Sequence, residues 1–155
     1  MITLKNIRLL ITVATLFLSF STSWAENNPK PFTIPELKEW KGGKGYFDFT
    51  GRTWLAFDAS NPGVAEVAKL FADDCGLMFG FAPRIMPDAG TKGCVRFRLS
   101  SKLGLGEEGY RIRIDESVEV SASHAKGLYW ATRTLLQIAE QDGQHRLPKG
   151  TITDR

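Results

Sequence analysis

The sequence contains little of what metal or disulfide chemistry requires, with two cysteines and two histidines among 155 residues. Neither Cys75 nor Cys94 has a second Cys or a His at the short spacing of a zinc motif, so no metal site is predicted. Cys75 falls on the apolar stripe of a predicted helix, and Cys94 opens a predicted strand. Because Cys is among the most frequently buried residue types, buried free thiols are favoured over a disulfide.

An excess of charge of one sign is also missing. The formal net charge is +3, and two of the 20 basic residues, Lys5 and Arg8, lie within the first 25 positions, which leaves +1 for the rest. A nearly neutral surface argues against a nucleic acid or an anionic membrane as a partner. The remaining length of about 130 residues fits one domain with an ordinary hydrophobic core.

An apolar run long enough to span a membrane is the third absence. The run from Leu9 to Phe20 contains about a dozen residues, whereas a spanning helix needs about 20. Lys5 and Arg8 precede this run, and Ser23-Trp24-Ala25 ends in the small residue that suits cleavage, so residues 1–25 are predicted to be an export signal. A periplasmic or secreted protein is therefore expected, with no membrane attachment after cleavage.

Between residues 26 and 100 the pattern predicts extended segments around one helix. Residues 26–40 are polar and rich in proline, typical of an extended leader, and residues 41–45 are predicted to be a turn, without the ending of a phosphate-binding loop. Strands are predicted over residues 46–50, 53–57, 84–86 and 95–99. Asn61 is suited to cap a helix that starts at Pro62 and ends near Gly76 or Gly80. Its predicted apolar stripe consists of Val64, Val67, Ala68, Phe71, Cys75 and Met78.

The segment from residue 106 to residue 138 predicts a hairpin followed by a helix. Apolar and polar residues alternate over residues 110–114 and again over 118–122, with turn residues between them. After Ser123 the period becomes that of a helix whose apolar face consists of Leu128, Ala131, Leu135, Ile138 and Ala139. Short connections between strands favour antiparallel pairing. The predicted fold class is therefore α+β, a two-layer sandwich of a mostly antiparallel sheet with two helices covering one face.

Patterns that commonly carry chemistry do not have the context that their chemistry needs. The G-x-G-x-x-G from Gly104 to Gly109 leads into a strand rather than a helix, so no dinucleotide cofactor is predicted. The adjacent carboxylates Asp73-Asp74 and Glu107-Glu108 point away from each other and indicate a solvated surface. A fixed structural partner is the alternative for Glu108.

The two histidines, His124 and His145, have no Ser or Cys nucleophile at a recognisable turn. Helix capping or solvent exposure is expected for both. No catalytic, substrate-binding, cofactor-binding or metal-binding residue is therefore predicted in this chain.

The basic residues of the predicted sheet suggest a surface rather than a reaction. Arg96, Arg98, Arg111 and Arg113 are expected on one polar face. A nucleic-acid platform would also need aromatic residues on that face, whereas Phe97 and Tyr110 have the opposite parity. An ion-paired sheet surface or a docking face is favoured.

An aromatic pair, Tyr129-Trp130, lies near the start of the second helix. Such side chains can stack on a sugar ring, or they can pack in the core or against a neighbouring domain. Packing in the core or between domains is favoured.

The order of several short motifs resembles a known family. The motifs are Gly-Glu-Glu-Gly-Tyr at 106–110, Gly127 before Leu128-Tyr129-Trp130, Thr134-Leu135-Leu136-Gln137, Leu147-Pro148 and Ile152-Thr153-Asp154. In this order they resemble the small N-terminal domain of secreted β-N-acetylhexosaminidases, the glycoside hydrolases of family 20. The resemblance covers the last third of the chain strongly and residues 31–100 more loosely.

The resemblance implies a domain organisation and a role. Residues 41–150 would form the hexosaminidase-like N-terminal domain, and residues 151–155 would begin a linker to a catalytic (β/α)₈ barrel that this chain does not contain. The barrel would be the partner in the parent protein, which would remove terminal N-acetylhexosamine residues from glycans. This chain alone is expected to be inactive. The alternatives are an independent carbohydrate-binding module, or the equivalent leading domain of another exo-glycosidase.

Overall fold

The computed structural model describes residues 26–87 and 92–155, and the predicted export signal of residues 1–25 lies outside them. Two α-helices occur in the described residues, α1 (Pro62–Phe79) and α2 (Ala125–Gln141), together with a short 3₁₀ turn at Ser101–Leu103. The strands are β1 (Glu39–Asp48), β2 (Trp54–Ala56), β3 (Arg84–Ile85), β4 (Cys94–Leu99), β5 (Tyr110–Ile114), β6 (Val118–Ala122) and β7 (Arg146–Asp154).

The strands form one mixed sheet in the order β1-β7-β5-β6-β4-β2-β3. The pairs β1–β7, β7–β5 and β5–β6 are antiparallel, whereas the pairs β6–β4, β4–β2 and β2–β3 are parallel. The α+β class is confirmed, and the prediction of a mostly antiparallel sheet is corrected to a mixed sheet. Short turns identify neighbours along the chain, but they do not show that β6 lies between β5 and the earlier strand β4. Helix α1 also returns the chain, so that β3 runs parallel to β2.

Strand β1 includes the residues that were predicted to be a turn. Its pairing with β7 shifts register between Gly42 and Tyr46, where the glycine-rich stretch forms an irregularity within the strand. A Cβ atom on Gly42 would overlap the backbone oxygen of Asn28, so the absence of a side chain permits this close approach. The local sequence is typical of a turn, and pairing along both parts of the stretch overrides that preference.

Strand β7 occupies the stretch that was predicted to begin a linker. Residues 151–153 pair with β1 on one side and with β5 on the other, Asp154 pairs with β5 alone, and Ile152 is fully buried between the two neighbouring strands. Pro148 and Gly150 weaken the local strand signal, and the two neighbouring strands supply the stabilisation that the local sequence lacks. The leader also belongs to the fold, because Thr33 and Leu37 are buried.

The core lies between one face of the sheet and the two helices. Burial alternates along β5 and β6, as expected for strands with one covered face. Helix α1 begins as predicted, with the Asn61 side chain accepting a hydrogen bond from the Val64 amide at 3.3 Å, and it ends at Gly80 in the left-handed conformation. Cys75 and Cys94 are free and buried, which confirms the prediction.

Within residues 26–87 and 92–155, no helix is long and apolar enough to cross a membrane. The same residues contain no group of three or more His, Cys, Asp or Glu side chains that could hold a metal ion.

Candidate functional site

A groove of about 370 Å³ lies between the leader, helix α2 and the end of β7. Its lining combines apolar and polar side chains, among them Ile34, Tyr110, Trp130, Arg133, Gln137 and Asp154. Three segments that are far apart in sequence meet here, because α2 crosses the end of the sheet where β5 and β7 are paired.

A buried network of hydroxyl groups forms part of the groove wall. The Tyr110 hydroxyl lies 2.6 Å from Thr134 Oγ1 and donates to Asp154 Oδ2 at 3.3 Å. Burial raises the pKa of the Tyr110 phenol to about 12. The neutral phenol therefore acts as a fixed link between β5, β7 and α2, and it is not poised to release a proton near neutral pH.

The opposite wall of the groove is the leader, and side chains of α2 form hydrogen bonds to the backbone of the leader. Gln137 accepts from the Ile34 amide at 2.9 Å and donates to the Ile34 carbonyl at 3.2 Å. Gln141 donates to the Phe32 carbonyl at 2.8 Å. The leader is thus held by hydrogen bonds from two glutamine side chains to its backbone, while its large side chains Phe32 and Ile34 are 67% and 71% exposed.

Trp130 lies at the rim of the groove beside an ion pair. The indole ring is 41% exposed and meets Tyr129 edge-on, with the ring centroids 5.3 Å apart. Glu108 pairs with Lys126 at 2.7 Å, which lowers the pKa of the Glu108 carboxyl, with a smaller contribution from the Trp130 side chain. Glu108 is exposed on a solvated surface, as predicted, and its ion pair with Lys126 is exposed there too.

Arg133 joins the groove to helix α1. Its guanidinium donates to Asp74 Oδ2 at 2.5 Å and lies over the Tyr129 ring, 4.8 Å from the centroid. On α1, Asp74 is flanked by side chains that face solvent, namely Leu70, Leu77 and Met78, which are 42%, 86% and 44% exposed. The groove and this stripe together form a surface that we call the helix-side surface, defined by Ile34, Leu70, Asp74, Leu77, Met78, Trp130 and Arg133.

The carboxylates near this surface do not form an acid–base pair. Asp73 pairs with Lys69 at 2.7 Å, while Asp74 turns to Arg133, so the two adjacent groups diverge as predicted. Both carboxylates are ion-paired, and the two do not face a common point as the two carboxylates of a glycosidase do. The arrangement therefore suits contact with another surface better than bond cleavage.

The remaining predicted motifs lie away from the groove or have structural roles. Residues 104–109 form a loop that leads into β5, as predicted. His124 is exposed and holds the N-cap position of α2 without a capping hydrogen bond from its side chain. His145 differs from the prediction, because its ring packs against Phe79 at 4.5 Å and its Nδ1 lies 3.2 Å from the Ala139 carbonyl oxygen.

The four arginines at positions 96, 98, 111 and 113 lie on the open face of the sheet, as predicted from their alternation with apolar residues along the strands. In the β5–β6 register Arg111 lies opposite Ser121 and Arg113 opposite Glu119, and β4 places Arg98 and Arg96 on the other side of the same two residues. This face is opposite to the helices and does not contribute to the groove.

Comparison with known proteins identifies the family. A family model described as glycosyl hydrolase family 20, domain 2, matches residues 30–155. The chain belongs to this family. This family-20 domain is also 34% identical over 109 residues to a β-N-acetylhexosaminidase of Cellulomonas fimi, an alignment that covers 69% of this chain and 21% of the relative. The chain therefore spans about a fifth of the length of that curated relative.

Solved structures of the same family contain this fold. The family-20 β-N-acetylhexosaminidase of Streptomyces coelicolor A3(2) superposes with a TM-score of 0.71 at 28% identity, covering 84% of this chain and 27% of that one. The Streptomyces plicatus N-acetyl-β-hexosaminidase gives a TM-score of 0.70 at 25% identity, over 83% of this chain and 27% of that one. The prediction of a family-20 accessory domain is thus confirmed.

Among the residues at the groove, Gln137 and the leader had not been predicted as functional. The Thr-Leu-Leu-Gln motif contains Gln137, but its contact with Ile34 spans 103 positions and has no local signal. Trp130 had been predicted to pack in the core or between domains; Tyr129 packs against the core, and Trp130 remains exposed.

Proposed function

We propose that this domain packs against the catalytic barrel of an exported β-N-acetylhexosaminidase and stabilises it, while the barrel removes terminal N-acetylhexosamine residues from glycans. The family assignment and the short span of the chain relative to its relatives support this role. The helix-side surface is the proposed contact.

The observation that carries the proposal is the apolar character of α1 on two sides. Its inner side packs into the core through Val64, Val67, Ala68, Phe71, Ala72 and Cys75. Its outer side exposes Leu77 almost completely, together with large parts of Leu70 and Met78. Large apolar side chains that cluster on the exposed side of a helix are typical of an interaction surface, so a second layer is expected over this part of α1.

Charges at this surface are compatible with burial. Asp74 and Arg133 are already paired at 2.5 Å, and both are about two-thirds to three-quarters covered. A paired charge costs less to bury than an isolated one, and Trp and Arg are enriched at protein interfaces.

We propose export on the sequence pattern of residues 1–25, with Lys5 and Arg8 ahead of an apolar run. N-terminal sequencing of the protein recovered outside the cytoplasm tests this. A mature chain that begins at Glu26 is expected, and retention of Met1 would contradict export.

The first experiment is to read the coding sequence beyond the codon for Arg155. An open frame of several hundred codons that encodes a barrel supports the proposal. A stop codon there would contradict packing against a barrel in the same polypeptide.

The second experiment compares Leu77→Lys with Ile85→Lys in the complete gene product. Ile85 lies on the edge strand β3, is 44% exposed and is not part of the helix-side surface. Burial of a Leu side chain contributes about 1.5–3 kcal/mol, so Leu77→Lys is expected to lower the thermal midpoint clearly more than Ile85→Lys does. Equal effects would contradict docking through α1.

The exposed Trp130 favours a second candidate, a sugar-binding groove, because an exposed indole beside Arg133 and Gln137 can stack on a pyranose ring. Titration with N-acetylglucosamine oligomers separates the two. Binding that is lost in Trp130→Ala would support sugar recognition, and no binding would leave packing as the role of this surface.

A further inference from the structure

The face of the sheet opposite to the helices carries two cross-strand rows of polar residues. The first row runs Lys41–Thr151–Arg113–Glu119–Arg96 from β1 to β4, and the second runs Glu39–Thr153–Arg111–Ser121–Arg98. Between them lies a row of inward-facing residues, Trp40–Ile152–Ile112–Val120–Phe97, of which the last four are buried. We call the two polar rows the sheet-side surface.

Basic residues outnumber acidic ones on the sheet-side surface by five to two, although the whole chain has a formal charge of only +3. Both acids are engaged, Glu119 with Arg113 at 3.4 Å and Glu39 with Arg155 at 3.1 Å. Among residues 26–87 and 92–155, Arg98 and Arg111 form no ion pair, and both are exposed. The rows therefore present guanidinium groups that are available to an external anion.

The arginines are regularly spaced. Arg98 and Arg111 lie on β4 and β5, two strand spacings apart, or about 10 Å, with Ser121 between them. Along β5, Arg111 and Arg113 are two residues apart, or about 7 Å. A ligand that matches Arg98 and Arg111 carries anionic groups about 10 Å apart, with an uncharged polar group between them opposite Ser121.

We infer that the sheet-side surface binds a linear acidic polysaccharide whose carboxylates occur on alternate sugars. A guanidinium group binds a carboxylate through two parallel hydrogen bonds, which is the geometry that Arg favours over Lys. Ser121 and Thr151 supply hydroxyl groups between basic residues, and Thr153 supplies one beside Arg111; sugar hydroxyls can donate to and accept from all three.

An acidic polysaccharide fits this surface better than a nucleic acid or a neutral glycan. The two rows contain no aromatic side chain, so neither base stacking nor pyranose stacking is provided. The inference goes beyond the proposed packing role and does not depend on it, because it uses the opposite face of the sheet.

The test uses the full chain and measures binding of a fluorescently labelled hyaluronan oligosaccharide, in which glucuronate alternates with N-acetylglucosamine. A chitin oligosaccharide of the same length is the neutral probe. Hyaluronan is expected to bind with an affinity that falls as salt is added, and chitin is expected not to bind. Absence of hyaluronan binding, or equal binding of both probes, would overturn the inference.

Two double variants are compared. Each removes two positive charges, one variant from the sheet-side surface and the other from elsewhere on the molecule. Arg98→Gln with Arg111→Gln is expected to weaken hyaluronan binding by about tenfold or more, since two charge-assisted contacts are lost. Lys30→Gln with Lys69→Gln removes two positive charges away from the sheet-side surface and is expected to keep the affinity. An equal loss in both pairs would indicate general charge attraction and contradict a defined surface.

Two further measurements test the role of the positive charges and the class of polymer that binds. Arg98→Lys with Arg111→Lys keeps the charge, and it is expected to bind hyaluronan more tightly than the glutamine pair; a match to the glutamine pair would contradict the role of charge. Polyglutamate and single-stranded poly(dT) are compared at the same salt concentration, and either one binding as tightly as hyaluronan would overturn recognition of a polysaccharide. Thermal unfolding verifies that each variant is folded.

Discussion

Asn28 shows how one side chain attaches the leader to the sheet. Its side-chain nitrogen donates to the Gly45 carbonyl at 2.7 Å and to the Lys149 carbonyl at 3.0 Å, and the backbone carbonyl of Asn28 accepts from the Trp40 indole at 3.1 Å. These contacts satisfy backbone groups at the irregular part of the β1–β7 pairing, where ladder hydrogen bonds are interrupted. Asn28 therefore belongs to the fold although it precedes the first strand.

Replacement of Asn28 by Ala is expected to lower the free energy of unfolding by about 1–3 kcal/mol, because two carbonyl groups lose their donor. Urea unfolding measures the effect. Asn27→Ala is the matched control, since Asn27 is exposed and a change below about 0.5 kcal/mol is expected there. Similar losses in both variants would argue against a structural role for the Asn28 amide.

At the scale of elements, the two helices use glycine in different ways. Gly127 lies near the start of α2, where a Cβ atom would overlap the Gly109 carbonyl oxygen and come within 2.9 Å of Ala122 Cβ. Gly76 lies within α1, where the nearest atom to an added Cβ is Ala82 Cβ at 3.9 Å. Close packing of α2 on β6 thus requires a glycine, whereas α1 has space for a side chain.

Gly127→Ala is expected to destabilise the domain by about 1–3 kcal/mol, because the new methyl group overlaps backbone that cannot easily move. Gly76→Ala is expected to stabilise it by about 0.5–1 kcal/mol, since Ala has the higher helix propensity. Thermal and urea unfolding of both variants gives the comparison. A gain in stability for Gly127→Ala would contradict the tight contact between α2 and the sheet.

Helices and hairpin strands were predictable from local pattern, whereas β1 and β7 were not. The Asn61 cap and the 3.6-residue period of α1 and α2 can be identified from residues that are close together in the sequence. Lys41 to Gly45 and Pro148 to Gly150 have the composition of turns, and they become strand because each lies against a partner more than 100 positions away. The groove depends on such distant pairing, so its lining residues were not predictable as a set.

For the whole molecule, alkaline pH is expected to reduce stability through two buried groups. Burial raises the pKa of the Cys75 thiol from 9.0 to about 12, with a further contribution from Asp74. Burial likewise raises the pKa of Tyr110 from 10.0 to about 12. Both groups stay protonated in the folded chain while the unfolded chain releases its protons, so their stabilising effect is complete below about pH 9 and is lost progressively up to about pH 12.

The measurement is the free energy of unfolding between pH 8 and pH 12, which is expected to fall less steeply for the pair Cys75→Ala with Tyr110→Phe than for the unmodified chain. Near neutral pH the Tyr110→Phe change alone is expected to cost about 1 kcal/mol, because Thr134 loses its partner. Parallel pH curves for the variant and the unmodified chain would contradict a role for these two groups.

The sequence by itself determined the α+β class, the family, the two helices and the free buried thiols. These follow from periodicity, composition and motif order, which act over a few residues or along the whole chain. Tertiary structure decided the mixed sheet, the strand identity of residues 41–45 and 151–154, the docking of the leader and the two opposite surfaces. Those features depend on which distant segments meet, and hydrogen bonding between distant backbones outweighs the local preference of glycine and proline there.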